Sequence, residues 1–201
     1  MNRLILASAS PRRSEILHAA GICFTVRPTD TDESVPEGTP AAEAVSLIAE
    51  RKCRAAAAAA AMPAEGDEVY ILAADTAVEC YGETLGKPRD RDDARRMLAM
   101  LAGCGSAVHT GFYVIRLSDG ASAGGCETTY VTFDGMTDAE IEDYISTDEP
   151  YDKAGAYGIQ GRASLYIPDI TGDYFNVMGL PIHAVYALLR DTFGVNMTEF
   201  R

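Results

Sequence analysis

The feature that most constrains the fold is a short apolar run that leads through small residues into a helix start. Residues Leu4–Ala7 are typical of a buried strand, and Ser10 followed by Pro11 is typical of an N-cap and first helical position. Gly21 predicts the end of that helix. A strand that leads directly into a helix N-terminus presents free backbone N–H groups and a partial positive charge. The stretch therefore predicts a turn that attracts anions.

Two arginines occupy the first turn of this predicted helix. Arg12 and Arg13 lie where the helix dipole disfavours cations. They fit this position if a strongly negative ligand binds there, and they fit equally well as solvated surface residues. From these two residues alone, both interpretations stay open.

The overall charge limits what such a ligand can be. The 201 residues carry a net charge of −13, so the long-range field repels nucleic acids and anionic membrane surfaces. Any bound anion therefore needs a local cationic pocket. The length of 201 residues fits one domain over residues 1–201, or two lobes around one cleft. Hydrophobic residues make up 47% of the chain, which predicts an ordered globular protein.

Cysteine usage and hydropathy indicate a cellular compartment. The five cysteines are scattered, odd in number and never arranged as CxxC, which favours reduced core thiols over disulfides or a zinc site. The sequence shows no signal-peptide core and no apolar run of membrane-spanning length. We therefore expect a soluble cytoplasmic protein.

Two charged features follow the first helix. The acidic run Thr29–Glu33 comes after a predicted strand over residues 22–27, so one of its carboxylates can face a cleft, although acidic loops are usually just solvated. The next helix is predicted from the Thr39-Pro40 pair to about Met62, and Lys52 falls on its apolar stripe. A lysine there either extends its ammonium group to the surface or points into the cleft as a phosphate ligand.

A continuous apolar run ends in a carboxylate. Residues 69–74 are typical of a central strand covered on both faces, and Asp75 and Thr76 follow at its carboxyl end. Ligands of α/β sheets gather outside the carboxyl ends of such strands, and aspartate is rarely buried without a partner. Asp75 is therefore either a functional carboxylate, which we favour, or a cap or turn residue.

The second half of the chain is predicted to alternate between hairpins and helices. Lys87 lies between glycine and proline after a predicted hairpin over residues 78–85, a rigid setting that fits an anion ligand. Asp90 and Asp93 predict the cap of a helix that ends at Gly103. The remaining predicted elements are strands near 107–117 and 127–133 joined by a turn over 118–125, a helix opened by a capping box at 137–140, a hairpin over 165–178, and a final helix after 179–181.

A glycine-rich stretch precedes the last of these elements. Gly155, Gly158 and Gly161 recur at every third residue, which is not the dinucleotide-binding fingerprint because the tight GxG start is missing. Glycines at this spacing permit the close approach of a flat ligand. Gln160 can both donate and accept hydrogen bonds, as the edge of a nucleobase requires, although a loop glutamine bonded to the backbone is the commoner case.

Taken together, these stretches resemble the Maf family of nucleoside triphosphate pyrophosphatases. The resemblance covers nearly the whole chain, and five motifs in the right order are far more specific than any one of them. The motifs are LASASPRR (6–13), AADT (73–76), GKP (86–88), DKAGAYGIQG (152–161) and GDYFNVMGLP (172–181). The resemblance implies hydrolysis between the α and β phosphates of a nucleoside triphosphate. It also implies an α/β fold with a mixed, curved sheet, flanking helices and two lobes around a cleft, similar to inosine triphosphatase.

The resemblance also implies roles for single residues. The loop with Gln160 looks like that of the family branch that acts on dTTP and UTP. Asp75 would be the catalytic proton acceptor and, together with Glu33, a ligand of a divalent cation. Oxygen-only ligands favour Mg²⁺ or Mn²⁺ over zinc. The substrate-binding residues would be Ser8, Arg12, Arg13, Lys52, Thr76, Lys87 and Gln160.

One segment departs from the family's pattern. The family often has an arginine and a histidine where Cys104 and Ser106 stand, so no role is carried over to this segment, and His109 is not an obvious substitute. Because the family has been linked to septum formation, a nucleotide-binding regulator of cell division with little turnover is the alternative function. Release of pyrophosphate from a panel of triphosphates separates the two hypotheses. The sequence leaves the preferred nucleotide open, and it does not decide between a monomer and a homodimer.

Overall fold

The computed structural model describes residues 1–200, which form two compact units. The first unit consists of Met1–Asp75, Thr110–Glu127 and the described chain from Gly179 onward, and the second consists of Thr76–His109 and Thr128–Met178. The architecture is α/β, as predicted, with parallel and antiparallel strand pairs in one sheet. The prediction of a single domain built around a cleft stays a prediction.

The secondary structure follows the chain in this order. The strands are β1 (Asn2–Leu6), β2 (Thr25–Val26), β3 (Glu68–Cys80), β4 (Glu83–Leu85), β5 (Gly105–Arg116), β6 (Ser122–Thr132) and β7 (Asp169–Thr171). The α-helices are α1 (Pro11–Ala19), α2 (Ala41–Ala59), α3 (Arg91–Leu101), α4 (Asp138–Ile145), α5 (Tyr174–Met178) and α6 (Ile182–Phe193). Short 3₁₀ helices cover Glu149–Asp152, Ala154–Ala156, Arg162–Tyr166 and Met197–Glu199. The strand order is β2-β1-β3-β5-β6-β7, and β4 pairs with β3.

In the first unit, β1 lies between two parallel neighbours. Leu6, its last residue, is in register with Val26 of β2 and with Leu72 of β3. The N–H of Ala7 donates to the carbonyl of Leu72 at 2.8 Å and extends the pairing by one residue. Because β1 then turns away while β3 continues, Asp75 lies beyond the end of its parallel neighbour.

Helix α2 packs tightly on the sheet of the same unit. Its buried face is made of small and branched apolar residues, which allows the helix backbone to approach closely. At the contact with β5, a Cβ on Gly111 would lie 2.5 Å from the carbonyl carbon of Val45, so only glycine fits there. This close approach fixes the height of α2 over the sheet, and with it the position of Lys52.

In the second unit, local capping signals define the elements. Strands β3 and β4 form the predicted hairpin, in which Val78 pairs with Leu85. Helix α3 begins as predicted, because the Asp90 carboxylate accepts from the backbone N–H of Asp93 at 2.8 Å. Helix α4 begins at the predicted capping box, which the structure forms in full. A hydrophobic core that includes residues of both helices lies between these elements.

The predicted end of the central strand is wrong. Strand β3 does not stop at Asp75 but continues to Cys80, so the carboxylate lies within the strand. No glycine or proline interrupts the chain between Asp75 and Cys80, and the β-branched residues Thr76 and Val78 favour extended structure. Asp75 still lies beyond the carboxyl end of a strand, because the neighbouring strand β1 ends at Leu6, in register with Leu72.

One predicted turn also differs from the structure. Strand β6 already begins at Ser122, so the glycines predicted to lie in a turn belong to the strand. A Cβ on Gly124 would collide with the ring of Tyr113, and one on Gly125 would lie 2.8 Å from the ring of Phe112. Both glycines therefore make room for aromatic side chains of β5.

The predicted hairpin over residues 165–178 is wrong. Its first part holds a 3₁₀ helix and the short strand β7, which pairs antiparallel with β6, and its second part is helix α5. The carboxylate of Asp173 accepts from the N–H of Phe175 at 2.8 Å at the start of this helix. Asn176 is fully buried and donates to the carbonyl of Val108 at 3.0 Å, a polar anchor that a strand with alternating apolar residues would not need.

Smaller differences concern helix and strand ends. Helix α2 begins after Pro40, because the Thr39 hydroxyl donates to the carbonyl of Pro36 at 2.7 Å instead of capping the helix, and it ends at Ala59 rather than near Met62. The strand predicted over residues 22–27 is reduced to Thr25–Val26.

The structure also tests the expectations about cysteines and membranes. All five cysteines are free thiols, as predicted, but Cys23 and Cys126 are exposed, so the expectation of core thiols holds for Cys53 and Cys80 only. No helix within residues 1–200 has the length and apolar character needed to cross a membrane.

Candidate functional site

The turn between β1 and α1 binds the side chain of Arg13. Helix α1 begins at Pro11 with Ser10 as N-cap, as predicted, although the Ser10 side chain forms no capping bond. The Ser8 oxygen instead accepts from the backbone N–H of Ser10 at 3.2 Å and from Nη1 of Arg13 at 2.9 Å. Both bonds use the Ser8 oxygen as acceptor, so its hydroxyl proton can be donated to an anionic ligand.

Arg13 is a buried cation, with only 8% of the residue exposed. Its Nε donates to the carbonyl of Gly179 at 2.7 Å, which fixes the guanidinium in place. Burial lowers the pKa of Arg13, and the nearby positive charge of Arg12 lowers it further. The carboxylates of Asp75 and Glu33 raise the pKa and so oppose this shift. A guanidinium does not lose its proton in proteins, so Arg13 remains a fixed positive charge that interacts with these two carboxylates.

Lys52 joins the two carboxylates of the site. It lies on the sheet-facing side of α2, and its Nζ is 2.7 Å from Oε1 of Glu33 and 2.7 Å from Oδ1 of Asp75. The Lys52 side chain is 12% exposed and that of Asp75 is 17% exposed, whereas Glu33 is 58% exposed. Of the two orientations predicted for Lys52, the ammonium therefore points towards Asp75 and not out into solvent.

The geometry of the sheet explains why these groups meet. Asp75 projects beyond the end of β1, where the chain turns through Ser8 into α1 and its arginines. Glu33 comes from the acidic loop after β2, on the other side of β1. Five of the predicted site residues, Ser8, Arg13, Glu33, Lys52 and Asp75, thus lie close together in the first unit, and Arg12 is half-buried beside them.

The other predicted site residues belong to the second unit. Thr76 follows Asp75 in β3 and is half-buried, whereas Lys87 and Gln160 are exposed. The carbonyl of Gly86 accepts from the N–H of Gly155 at 3.0 Å, so the turn that carries Lys87 is bonded to the glycine-rich segment that carries Gln160. Two motifs that are far apart in sequence therefore meet within this unit.

The segment that departs from the family pattern has local partners of its own. Cys104 Sγ contacts the hydroxyl of Tyr81, and Ser106 is buried. His109 bonds to Thr128 at 2.9 Å through Nδ1, and burial lowers the pKa of His109 more than the nearby Glu79 raises it. None of these three side chains supplies a cation at neutral pH.

The donor set fits the predicted divalent cation only in part. Residues 1–200 contain no group of three or more acidic, histidine or cysteine side chains arranged to hold a metal ion. Glu33 and Asp75 are two hard oxygen donors, and Mg²⁺ is commonly held by one or two carboxylates together with substrate phosphates. These two residues would hold the cation, and the oxygens of a triphosphate would complete its ligands.

Three groups that the sequence did not single out take part in this architecture. The Gly179 carbonyl fixes Arg13, and residue type gives no signal for a backbone acceptor. Tyr144 and Glu149 share a hydrogen bond of 2.8 Å beside the segment that carries Gln160. Both lie outside the recognised motifs, so only the fold reveals them.

Comparison with known proteins supports the resemblance seen in the motifs. Residues 3–192 match a family described as Maf-like protein. A dTTP/UTP pyrophosphatase of Moorella thermoacetica is 46% identical over 197 residues, which cover 98% of each chain. The dTTP/UTP pyrophosphatase of Alkaliphilus oremlandii is 44% identical over 98% of this chain and 100% of that one. That of Anaeromyxobacter dehalogenans is 48% identical over 94% of this chain and 93% of that one.

A solved structure gives a weaker match. The nucleoside-triphosphatase / dITP/XTP pyrophosphatase of Mycobacterium abscessus is 13% identical, over 66% of this chain and 74% of that chain, with a TM-score of 0.35. A likeness at this level carries no argument about the site.

Proposed function

The chain belongs to the Maf family, and we propose that it hydrolyses dTTP and UTP to the nucleoside monophosphate and pyrophosphate. Relatives that carry the name dTTP/UTP pyrophosphatase are 44% to 48% identical to it over nearly their whole length. The observation that carries the proposal is the group formed by Asp75, Lys52 and Arg13. A carboxylate can act as a general base, and the ammonium and the buried guanidinium can stabilise the negative charge that develops on the phosphates.

In the proposed reaction, water attacks the α–β phosphoanhydride. One P–O bond forms to the water oxygen, one P–O bond of the bridge breaks, and the pyrophosphate leaves with the bridging oxygen. Asp75 accepts the proton of the water, and Lys52 orients Asp75 by holding its Oδ1. Arg12, Arg13 and the Ser8 hydroxyl bind the phosphates at the start of α1, where backbone N–H groups and the helix dipole also favour an anion.

We propose that Glu33 and Asp75 also hold a Mg²⁺ or Mn²⁺ ion in the presence of substrate. The cation would neutralise negative charge on the phosphate chain. Both carboxylates contact the Lys52 ammonium. If the cation binds, this ammonium would either move towards the phosphates or share the two carboxylates with the cation. Lys52 would thereby hold the two carboxylates when no substrate is bound and neutralise phosphate charge when substrate is bound.

The remaining sequence-based assignments are part of the same proposal. Gln160 selects the base, and Thr76 and Lys87 bind substrate, as the resemblance implies. The net charge of −13 supports a protein that binds a single nucleotide rather than a nucleic acid. A cytoplasmic location is proposed from the sequence, and a homodimer is the alternative to a monomer.

Pyrophosphate release tests the proposal directly. The purified protein is incubated with dTTP, UTP, CTP, GTP and ATP, each with Mg²⁺ and with a chelator, and pyrophosphate and monophosphate are quantified. We expect release of both products from dTTP and UTP at the highest rates and almost none with the chelator. Nucleotide binding without pyrophosphate release would support the regulatory alternative and overturn the enzymatic proposal.

Two variants test the assignment of the catalytic base. Asp75→Asn should lower kcat for dTTP by about 10²–10⁴-fold, because general-base catalysis contributes about that much. Asp119→Asn is the matched control, since this carboxylate lies in an exposed turn of the same unit and bonds to Arg116. An Asp75→Asn protein that keeps the wild-type rate would remove Asp75 from the mechanism.

A further inference from the structure

We propose that Tyr144 and Glu149 position the turn that carries Gln160 and thereby set the base selectivity of the enzyme. The inference rests on the proposed function, because it assigns to Gln160 the selection of the base. Both residues lie outside the family motifs, on α4 and at the start of the following 3₁₀ helix, in the same unit as Gln160.

Gln160 lies in a tight turn. The carbonyl of Gly158 accepts from the N–H of Gly161 at 3.1 Å, which closes a four-residue turn with Ile159 and Gln160 at its two central positions. Gln160 is exposed, whereas Gly158 is buried. The direction of the glutamine amide therefore depends on how the two ends of this turn are held.

One side-chain pair holds both ends. The Tyr144 hydroxyl donates to Oε1 of Glu149 at 2.8 Å and accepts from the N–H of Gly158 at 3.3 Å, at the start of the turn. Oε2 of Glu149 accepts from the N–H of Arg162 at 3.0 Å, just after the turn. The residues on either side of Ile159–Gln160 are thus bonded to the same tyrosine–carboxylate pair.

Two of the three spaced glycines, Gly158 and Gly161, lie against side chains of this region. A Cβ on Gly161 would overlap the carboxylate of Glu149, and a Cβ on Gly158 would lie 2.7 Å from Cε of Lys153. Lys153 in turn donates to the carbonyl of Glu149 at 2.6 Å. Glycine at these two positions therefore leaves room for the Lys153 side chain and the Glu149 carboxylate, a structural role besides ligand approach.

The pair is suited to hold a fixed geometry. Tyr144 is 2% exposed, and burial together with the bond to Glu149 raises the pKa of its hydroxyl. Tyr144 therefore keeps its proton at every physiological pH and donates to Glu149 throughout. Removing the hydroxyl would leave a buried N–H of Gly158 without its partner, which is costly unless the turn moves.

A positioning role and a purely structural role predict different kinetics. If the pair only stabilises the fold, its loss lowers the melting temperature and affects the rates with all nucleotides alike. If it orients Gln160, its loss raises KM for dTTP and UTP and leaves the rates with the other bases nearly unchanged. The ratio of kcat/KM for UTP to kcat/KM for GTP therefore separates the two.

The test compares Tyr144→Phe with Tyr151→Phe. Tyr151 is a matched control, because its hydroxyl also donates at 2.8 Å near the end of α4, to the carbonyl of Ile145, and has no bond to the turn. We expect Tyr144→Phe to lower the UTP-to-GTP ratio by about tenfold, mainly through KM, whereas Tyr151→Phe leaves it unchanged. A folded Tyr144→Phe protein with the wild-type ratio, or with equal losses on all nucleotides, would overturn the proposal.

Two further variants keep the test decisive. Glu149→Gln retains the size of the side chain, but it has one acceptor oxygen where the carboxylate uses two, one for the Tyr144 hydroxyl and one for the Arg162 N–H. It should therefore also lower the UTP-to-GTP ratio, which provides the test if Tyr144→Phe fails to fold. In a Gln160→Ala background, Tyr144→Phe should change the ratio no further, because both act through Gln160. Additive effects of the two substitutions would overturn this inference but not the proposed function. A wild-type protein that does not hydrolyse dTTP or UTP would overturn the proposed function as well.

Discussion

Replacing Lys52 with methionine tests whether the site is built around a buried ammonium group. Methionine keeps most of the apolar stem that packs along α2 but removes the charge that Glu33 and Asp75 share. Asp75, at 17% exposed, would then face Glu33 without the intervening cation. We expect the variant to be less stable as well as inactive.

The structure sets the size of the effect. Removing one partner of a fully buried ion pair costs about 3–5 kcal/mol. Here Glu33 is 58% exposed and can turn to solvent, so only the Lys52–Asp75 pair approaches that limit, and we expect a loss of about 2–3 kcal/mol. With a urea m-value of about 2–3 kcal/mol/M, the unfolding midpoint falls by about 1 M.

Arg54→Met is the matched control for this measurement. Arg54 lies two residues further along α2 and pairs with Glu50 at 2.7 Å, but its side chain is 57% exposed. Solvent screens that pair and the exposed hydrogen bond from Arg54 to the Tyr113 hydroxyl, so the loss of Arg54 should move the midpoint much less than the loss of Lys52. Both residues belong to the first unit, so separate unfolding of that unit would affect the two variants alike. Equal midpoint shifts for the two variants in urea titrations followed by circular dichroism would refute the argument.

Three further outcomes are expected. Gln160→Glu removes an amide donor and should reduce the preference for dTTP and UTP over GTP in initial-rate assays, and unchanged relative rates would contradict its role. The Arg116 guanidinium lowers the pKa of Asp119 to about 2. Because this pKa is below its value in the unfolded chain, the interaction stabilises the fold above about pH 4 and is lost as the pH falls towards 2, which NMR titration of the carboxyl carbon checks. Burial raises the pKa of Cys53 to about 12, so iodoacetamide at pH 8 should label exposed Cys23 and leave Cys53 unlabelled until the protein unfolds, as mass spectrometry can show.

The features that were predicted correctly depend on residues that lie close together in the sequence. The Asp90 cap, the capping box of α4 and the Ser10-Pro11 helix start each involve residues within four positions of one another, so residue type and spacing are enough. The resemblance to a family supplied the roles, but it did not supply any contact. Contacts between distant segments required the fold.

The grouping of the first-unit site residues depends on strand pairing that no local signal encodes. Asp75 meets Ser8 and Arg13 because β1 ends opposite Leu72 while β3 continues. The predicted end of β3 was wrong, but Asp75 lies beyond the carboxyl end of the neighbouring strand β1. The position of Asp75 at a strand end therefore depends on where β1 ends, and not on where β3 itself ends.

Two of the wrong predictions have a common physical cause. Tyr174–Met178 has apolar residues at spacings that suit a strand as well as a helix, and in the helix the Asn176 amide donates to the Val108 carbonyl and to the Thr129 hydroxyl. Gly124 and Gly125 look like turn residues, but they lie under aromatic rings of β5. In each case tertiary packing overrides a local preference, and the sequence does not show which neighbour will be present.

The charges of the site give a physical reason for the proposed cation. Three cations, Arg12, Arg13 and Lys52, stand against the carboxylates of Glu33 and Asp75, so this group is nearly balanced without substrate. The protein as a whole carries a net charge of −13, and a triphosphate adds more negative charge than one surplus cation can neutralise. Under the proposal, a divalent cation bound by Glu33 and Asp75 would offset part of this added negative charge. The same carboxylates keep the cations in place when no nucleotide is bound, because otherwise three positive charges would repel one another in a partly buried site.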